Sequence, residues 1–470
     1  MSSFNPNLTY FVERLQGFST NVFRLESQQG SSATATSSSI ITFDIPSNAI
    51  VSLRSFKIFA NAGADVVAGA GGRLPPINDL VERVEVSVGG ITLSQGANFI
   101  NVLQEMKKSL GATYAGCDAT MGHPEYVREK SYVNKLGAGG AVISGVLNEF
   151  YPPNDNPVFC ISDLEGFFST AEPKLLDTSL LPDLRVRLHL ASDNVLGSVN
   201  GIDLDGTGAD DITDDGTGGA RYNLTNIHAT IECIGLADQA YDQMLASMMS
   251  SQGFLEIPYK NYTNFQTVHS GSSRFTVSTQ SLDRVWVGWR SNGYDTQGGL
   301  VAIEGYKKTG AFVSNSDAGF AGGFDIGKPD YDVGGVLDTN CEKYKSKYFN
   351  FTEASNTFRA QLQLNGAYYP QFTATLGDLY GISKNSLMGN RESKTMTLDQ
   401  YKNNYCVQCF RLNMPDSEYS RLISGLDTRA VNLQGIIKTE NATADNTVDI
   451  FCETTEVIRV GAGRAVEIIS

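Results

Sequence analysis

The chain has 470 residues, 41% of them hydrophobic and 10% aromatic, which is too long for one ordinary core and ample for two or three packed domains. A formal net charge of −15 makes the whole surface a poor match for a polyanion, which argues against a dedicated nucleic-acid binder while leaving a local basic patch open. There is no apolar run of 18 residues, so no membrane-spanning helix is expected, and the polar, uncharged opening Met1-Ser-Ser-Phe-Asn-Pro does not read as a signal peptide.

Residues 1–25 read as an arm, with a short apolar stripe at Leu8, Phe11, Leu15 and Phe18. Gln28–Ser39, rich in Ser, Gly, Gln and Thr, reads as a flexible connection. Ile41-Thr-Phe-Asp-Ile, a Pro-Ser-Asn turn and Ile50-Val-Ser-Leu then predict strand, turn and strand. Arg83-Val-Glu-Val-Ser-Val-Gly-Gly-Ile-Thr-Leu-Ser-Gln95 alternates apolar and polar residues about a Gly-Gly turn, the signature of a β-hairpin. Phe99, Val102, Leu103, Met106 and Leu110 follow helical spacing and stop at Gly111. Val186, Leu188 and Leu190 alternate with Arg185, Arg187 and His189, and Ile227, Ala229, Ile231 and Cys233 alternate with His228, Thr230 and Glu232. Each pattern predicts a half-buried strand. Tyr241, Met244, Leu245 and Met248 predict a helix over 237–253, capped by Asp238 and stopped by Gly253, at a natural junction between halves.

The second half repeats the order. Phe275-Thr-Val, a Ser-Thr-Gln-Ser turn and Arg284-Val-Trp-Val-Gly-Trp289 match the first strand pair. Arg359-Ala-Gln-Leu-Gln-Leu-Asn-Gly-Ala-Tyr-Tyr-Pro-Gln371 matches the hairpin 276 residues on (359 − 83), now turning at Asn-Gly. Tyr419, Leu422, Ile423 and Leu426 form a helical stripe, and Val448, Ile450 and Cys452, alternating with Asp449, Phe451 and Glu453, close the half. Long insertions at 96–220 and 291–350 distinguish the halves and are expected at the surface. Short alternating strands with turns between them predict sandwiches or Greek-key barrels.

Motifs for chemistry are sparse. The four histidines (His123, His189, His228, His269) lie outside any HExxH or zinc-type spacing, and His189 and His228 fall on polar strand faces. Cys406-Val-Gln-Cys409 is a CxxC without a second ligand pair, inside a strand-like stretch, and reads as structural. The seven cysteines (117, 160, 233, 341, 406, 409, 452) read as reduced core residues of a cytosolic or nuclear protein. Five Asn-x-Ser/Thr sequons (Asn7, Asn223, Asn261, Asn350, Asn441) read as chance occurrences. Gly322–Lys328 mimics a phosphate loop, but Pro329 stands where Ser/Thr would bind Mg²⁺. Gly137–Gly140 and Gly461–Gly463 lack strand-to-helix context and read as turns. Asp203-Leu-Asp-Gly-Thr-Gly-Ala-Asp-Asp211 places oxygen donors at Asp203, Asp205, Thr207 and Asp211 around Gly206 and Gly208. It resembles the calcium loops of β-propeller repeats, and two readings stand: a structural Ca²⁺ site or an acidic, solvated loop tip.

Several passages together resemble a family. These are Asn226-Ile-His-Ala-Thr-Ile-Glu-Cys-Ile followed by Leu255-Glu-Ile-Pro-Tyr-Lys260, then Ser281-Leu-Asp-Arg284, Leu364-Asn-Gly-Ala-Tyr-Tyr-Pro-Gln-Phe372, Ser424-Gly-Leu-Asp-Thr-Arg429 and Gly463-Arg-Ala-Val-Glu-Ile468. In this order they resemble the double jelly-roll major capsid proteins of eukaryotic DNA viruses, the virophage, polinton-like and nucleocytoplasmic large DNA virus type. The resemblance implies an all-β chain of two consecutive eight-stranded antiparallel jelly rolls with a few short helices. Its layout would be an arm at 1–25, a first roll at 26–236, a linker helix at 237–253 and a second roll at 254–470. It implies a non-enzymatic structural protein whose homotrimers, pseudo-hexameric capsomers, tile an icosahedral shell in the virion after assembly in host cytoplasm or nucleus. Its partners would be copies of itself, neighbouring capsomers, penton and minor or cement proteins and, in some shells, an underlying membrane. The arm and the 291–350 insertion are expected to make contacts between subunits. A carbohydrate-binding β-sandwich with a structural calcium loop is the alternative, lacking its usual secretion signal; a cupin-type enzyme would need clustered His ligands that these strands do not supply.

Overall fold

The computed structural model describes residues 18–65, 71–111, 158–199, 221–236, 247, 250–251, 253–295, 300–302, 344–386, 398–414, 425–461 and 464–470, apart from positions 74, 76, 95–96, 163, 173, 354 and 430–432. Along the first half run β1 (Phe18–Glu26), β2 (Ala33–Thr34), β3 (Ile40–Asp44), β4 (Ile50–Ser52), β5 (Lys57–Asp65), β6 (Gly71–Arg73), β7 (Val81–Val88) and β8 (Ile91–Thr92). Helix α1 (Ile100–Gly111), β9 (Val158–Ile161), α2 (Phe167–Thr170), β10 (Leu175–Asp177), β11 (Leu184–Leu190), β12 (Gly197–Val199) and β13 (Arg221–Leu236) follow. The second half holds β14 (Phe254–Val268), β15 (Ser272–Val277), β16 (Leu282–Arg290), β17 (Leu300–Ala302), β18 (Tyr344–Ser346), β19 (Arg359–Leu364) and β20 (Ala367–Thr375). It ends with α3 (Leu376–Asn385), α4 (Leu398–Asn404), β21 (Val407–Arg411), β22 (Leu433–Glu440), β23 (Thr447–Gly461) and β24 (Val466–Ile469).

The main strands of the first half lie in two antiparallel sheets, β1-β13-β5-β9 and β3-β11-β7-β8. Those of the second lie as β14-β23-β16-β21 and β15-β22-β19-β20. Numbered one to eight within each half, both read 1-8-3-6 facing 2-7-4-5, the order of a jelly roll. The protein is therefore a double jelly roll, and the halves match strand for strand. Short strands decorate the frame: β2, β4 and β10 extend the first sheet, β24 pairs with β23, and β6–β12 and β17–β18 form separate ribbons.

Local chemistry accounts for most of this. In β11 the residues Leu184, Val186, Leu188 and Leu190 point inward and are buried, while Arg185, Arg187 and His189 remain half-exposed. Both hairpins turn through two residues of positive φ, Gly89 (57°) with Gly90 (86°) and Asn365 (46°) with Gly366 (85°). Such turns match the twist of the flanking strands and favour Gly and Asn. After each hairpin a helix begins ten residues past the second turn glycine, α1 at Ile100 and α3 at Leu376. Inside the rolls, Phe43 packs edge-on to Phe56 at 6.1 Å and Trp289 to Phe358 at 5.1 Å.

Three expectations differ from the structure. The arm boundary at residue 25 falls inside a strand: Phe18–Glu26 pairs with His228–Leu236 over nine residues and is the first strand of roll one. Ile41–Ile45 and Ile50–Leu53 do form a strand, a turn and a strand, and the chain passes there from one sheet to the other, as β15 and β16 do. The alternation in β23 does not mark a solvated face, because Asp449, Phe451 and Glu453 are buried as thoroughly as Val448, Ile450 and Cys452. Leu426 pairs with Leu282 as an extended bridge rather than ending a helix, and the rest of its stripe lies outside the described residues. So does nearly all of the 237–253 helix, although Gly253 has the φ of 77° expected at its stop.

Candidate functional site at the joint between the rolls

Why β23 is buried on both faces is explained by what lies across it. Helix α1 leaves roll one and packs on the outer face of roll two's β14-β23-β16-β21 sheet, touching β16, β21 and the matching helix α3. The approach is closest at Gly288, where a Cβ would overlap Met106 Cε and crowd Phe351. Sandwiched in this way, α1 buries its polar positions Asn101, Gln104, Glu105 and Ser109 along with Val102, Leu103 and Met106. A helix read as amphipathic is thus covered all round.

The contact is fixed by a charged network. Lys107 Nζ donates to Glu165 Oε2 at 2.8 Å and to Tyr262 OH at 2.8 Å, and stands 4.5 Å above the Tyr262 ring. The Trp286 ring lies 6.0 Å from the same ammonium. On β16 and β23, Arg284 Nη1 donates to Glu453 Oε1 (2.9 Å) and Trp286 Nε1 to Glu453 Oε2 (3.1 Å). Burial pushes the Glu453 carboxyl up, but the Arg284 guanidinium, the ammonium groups of Lys107 and Lys260 and the Trp286 N–H hold it at about 2. Lys260 Nζ meets Asp283 Oδ2 at 2.5 Å, and Ser281 Oγ donates to Asp283 Oδ1 at 2.8 Å.

Two further contacts close the joint. The chain after β9 runs along the free edge of β14, with Glu172 N donating to Pro258 O (3.0 Å) and Lys260 N to Thr170 Oγ1 (2.9 Å). Phe167 packs edge-on to Tyr259 at 5.7 Å, and Tyr259 OH lies 2.9 Å from Leu93 O. Further along the same outer face, the fully buried pair Arg290–Asp449 is bidentate (2.6 and 2.8 Å), with the guanidinium 3.6 Å from the Tyr294 ring. Beneath α1, Asp79 is fully buried beside Glu105 and Lys108 Nζ (3.3 Å), and burial followed by Glu105 raises its pKa well above the usual range.

The other sequence candidates fare differently. Asp203, Asp205, Thr207 and Asp211 lie outside the described residues, as do His123, Gly137–Gly140 and Gly322–Lys328. His228 stacks on Phe59 at 5.5 Å, His189 lies 3.4 Å from Glu85, and His269 is buried between Ser273 and Thr439 with its pKa lowered by burial. Cys406 and Cys409 are buried thiols at the start of β21 and within it, and burial pushes Cys409 up to about 12. Such thiols are packing groups. Among the described residues no three His, Cys, Asp or Glu side chains converge as a metal site, and no helix is long and apolar enough to cross a membrane. The joint residues Lys107, Glu165, Tyr262, Arg284 and Glu453 went unnoticed in the sequence. The available signal was acidic residues among the apolar residues of Val448-Asp-Ile-Phe-Cys-Glu453, and Arg284 and Arg290 bracketing two tryptophans.

No family model matches the chain, and no curated protein does. Solved structures do. PBCV-1 VP54, fitted into a cryo-EM reconstruction of the virophage Sputnik, aligns over 98% of this chain and 99% of its own with a TM-score of 0.56 and 12% identity. A chain of the quasi-atomic PBCV-1 virus capsid gives 0.53 over 98% and 99% at 12% identity. The Faustovirus major capsid protein gives 0.53 over 96% and 92% at 10% identity. At these identities the fold is what is shared, and it is shared from end to end.

Proposed function

We propose that this protein is a major capsid protein whose homotrimers form pseudo-hexagonal capsomers tiling an icosahedral shell, so that its function is mechanical. The observation that carries the reading is the end-to-end likeness of both rolls to proteins described as capsid components, with neither partner contributing an extra domain. Supporting it, a buried joint holds the two rolls against each other, as a rigid tile requires. The −15 net charge suits a shell component separated from the genome by other proteins or by a membrane. Penton and minor capsid proteins are its expected partners, and the virion its location.

Negative-stain microscopy of the purified protein, with light scattering for mass, tests this. Hexagonal particles of three chains, or closed shells, are expected. A monodisperse monomer that binds glycans would overturn the capsid reading in favour of a carbohydrate-binding sandwich.

A further inference from the structure

Tyr259 stands between two acceptors with one hydrogen to give. Its hydroxyl lies 2.9 Å from Leu93 O and 2.6 Å from Glu456 Oε2. A carbonyl and a carboxylate oxygen both only accept, so a single phenolic hydrogen cannot complete both bonds. The neighbouring amide fixes where a second hydrogen belongs. Asn261 Oδ1 accepts from Tyr262 N at 2.9 Å, which turns Asn261 Nδ2 toward Glu456 Oε1 at 3.0 Å. Oε1 is therefore an acceptor, and a proton on Oε2 completes the count: Oε2–H donates to the Tyr259 oxygen, and Tyr259 O–H donates to Leu93 O. Leu93 follows β8 in roll one, whereas Tyr259 and Glu456 are cross-strand partners on β14 and β23 in roll two. The two bonds in series thus cross the joint.

The surroundings favour this arrangement. Glu456 is 9% exposed, and burial raises its pKa against the opposing hydrogen bonds from Asn261 and Tyr259. Burial, with Glu456 alongside, also raises the Tyr259 phenol, which keeps its hydrogen. The nearby cations are engaged with other acids: on β14, Lys260 Nζ with Asp283 and Thr455 Oγ1; on α1, Lys107 with Glu165; on β23, Arg459 with Glu256. Helix α2 presents the Phe167 ring to Tyr259. On β24, Glu467 lies opposite Arg459, and the next register position beyond Ile469, opposite Glu456, is Ser470.

We infer that Glu456 carries a proton in the closed joint and that its ionisation draws Tyr259 away from Leu93, so that the contact between the rolls weakens. A carboxylate outcompetes a carbonyl for the one phenolic hydrogen, because a bond to a charged acceptor is roughly twice as strong. A raised native pKa gives stability that is complete below the unfolded value and is lost as pH rises through the native one. The joint is therefore tightest in mild acid and loosens toward neutral or alkaline pH. This switch goes beyond the capsid reading and does not depend on it.

Glu456→Gln tests it, because an amide keeps one donor and one acceptor where Oε2–H and Oε1 stand and holds the latch closed at every pH. Amide hydrogen exchange is followed in the full chain at Glu172 and Lys260, whose N–H groups bond across the joint to Pro258 O and Thr170 Oγ1. Comparison at equal pH cancels the intrinsic pH dependence of exchange. The native chain and the variant are expected to exchange alike at about pH 5, and the native chain several-fold faster at about pH 8, the worth of one hydrogen bond. In a Tyr259→Phe background with native-like circular dichroism, most of that difference is expected to vanish. Equal rates at about pH 8, or a variant that exchanges faster at both pH values, would overturn the proton on Glu456. A difference that survives in full without the Tyr259 hydroxyl would overturn the route through Leu93.

Discussion

Replacing Glu453 by Gln changes one oxygen for an amide nitrogen and removes the charge that Arg284, Lys107 and Lys260 face. The native carboxyl is held from 4.5 down to about 2. This corresponds to about 3 kcal/mol, at about 1.4 kcal/mol per tenfold change in proton affinity. Removing one partner of a buried pair costs about 3–5 kcal/mol by independent measure, so the two estimates agree. A carboxyl whose native pKa is depressed contributes fully above its unfolded pKa and loses that contribution as pH falls through the native one. The difference between Glu453→Gln and the native chain is therefore expected to be about 3 kcal/mol near neutral pH and about 1.5 kcal/mol at about pH 3. Urea unfolding at fixed protein concentration measures it, followed by tryptophan fluorescence. The only two tryptophans, Trp286 and Trp289, sit on opposite faces of β16, so the signal reports roll two and its joint. A loss under about 1 kcal/mol at neutral pH, or one that does not shrink on acidification, would refute the assignment of Glu453 as a buried charge held by Arg284, Lys107 and Lys260.

Asp79 should behave in the opposite sense. Its raised pKa means that the folded chain binds this proton more tightly than the unfolded chain does, an advantage at low pH that is lost as pH rises through the native value. Asp79→Asn is expected to stabilise the protein by about 1–2 kcal/mol at about pH 8 and by less at about pH 4; a lower melting midpoint at both would contradict this. The hairpin glycines should differ: Gly366→Ala has open space and pays only for positive φ, about 1 kcal/mol, whereas Gly89→Ala also drives a Cβ to 2.6 Å from Pro182 Cγ and is expected to cost about 2 kcal/mol or more. Equal melting shifts would show that the Pro182 contact yields freely. For the Asp203–Asp211 segment, calcium bound there predicts a melting midpoint that drops on chelation; an unchanged midpoint leaves the acidic loop tip.

What the sequence made legible was local. Period-two alternation located β7, β11, β13 and β19, and Gly89-Gly90 and Asn365-Gly366 announced their turns, because pleat and turn are decided within a few residues. The strand β1 escaped because Phe18-Ser-Thr-Asn-Val-Phe-Arg-Leu-Glu26 has no single apolar face: it pairs with β13 some 210 positions later and buries little itself. The joint escaped for a related reason. Asp449 and Glu453 alternate with apolar residues as on any half-solvated strand, and what covers them is remote in sequence: Arg290 and Arg284 lie 159 and 169 positions earlier, and α1, packed on the neighbouring β16 and β21, about 340. Even α1 misled, since its spacing shows one apolar stripe while its polar positions are also covered.

Charges at this joint serve orientation more than cohesion. A buried ion pair returns little more than its desolvation cost, and a purely apolar contact between helix and sheet would be at least as stable. It would also tolerate sliding, because apolar surfaces have no direction. Tyr262 of roll two must meet Lys107 of roll one at 2.8 Å and Glu165 at 3.2 Å, while Lys107 stays on Glu165 at 2.8 Å. A turn of one roll against the other pulls Tyr262 from both Lys107 and Glu165, while the ion pairs within each roll, Lys107–Glu165 and Arg284–Glu453, stay closed. These contacts and the hydrogen bonds along the β14 edge oppose rotation of one roll on the other. On the proposed capsid role, an error in the angle between the rolls would be repeated at every subunit of the shell, so a fixed angle would serve such a tile more than a tighter grip.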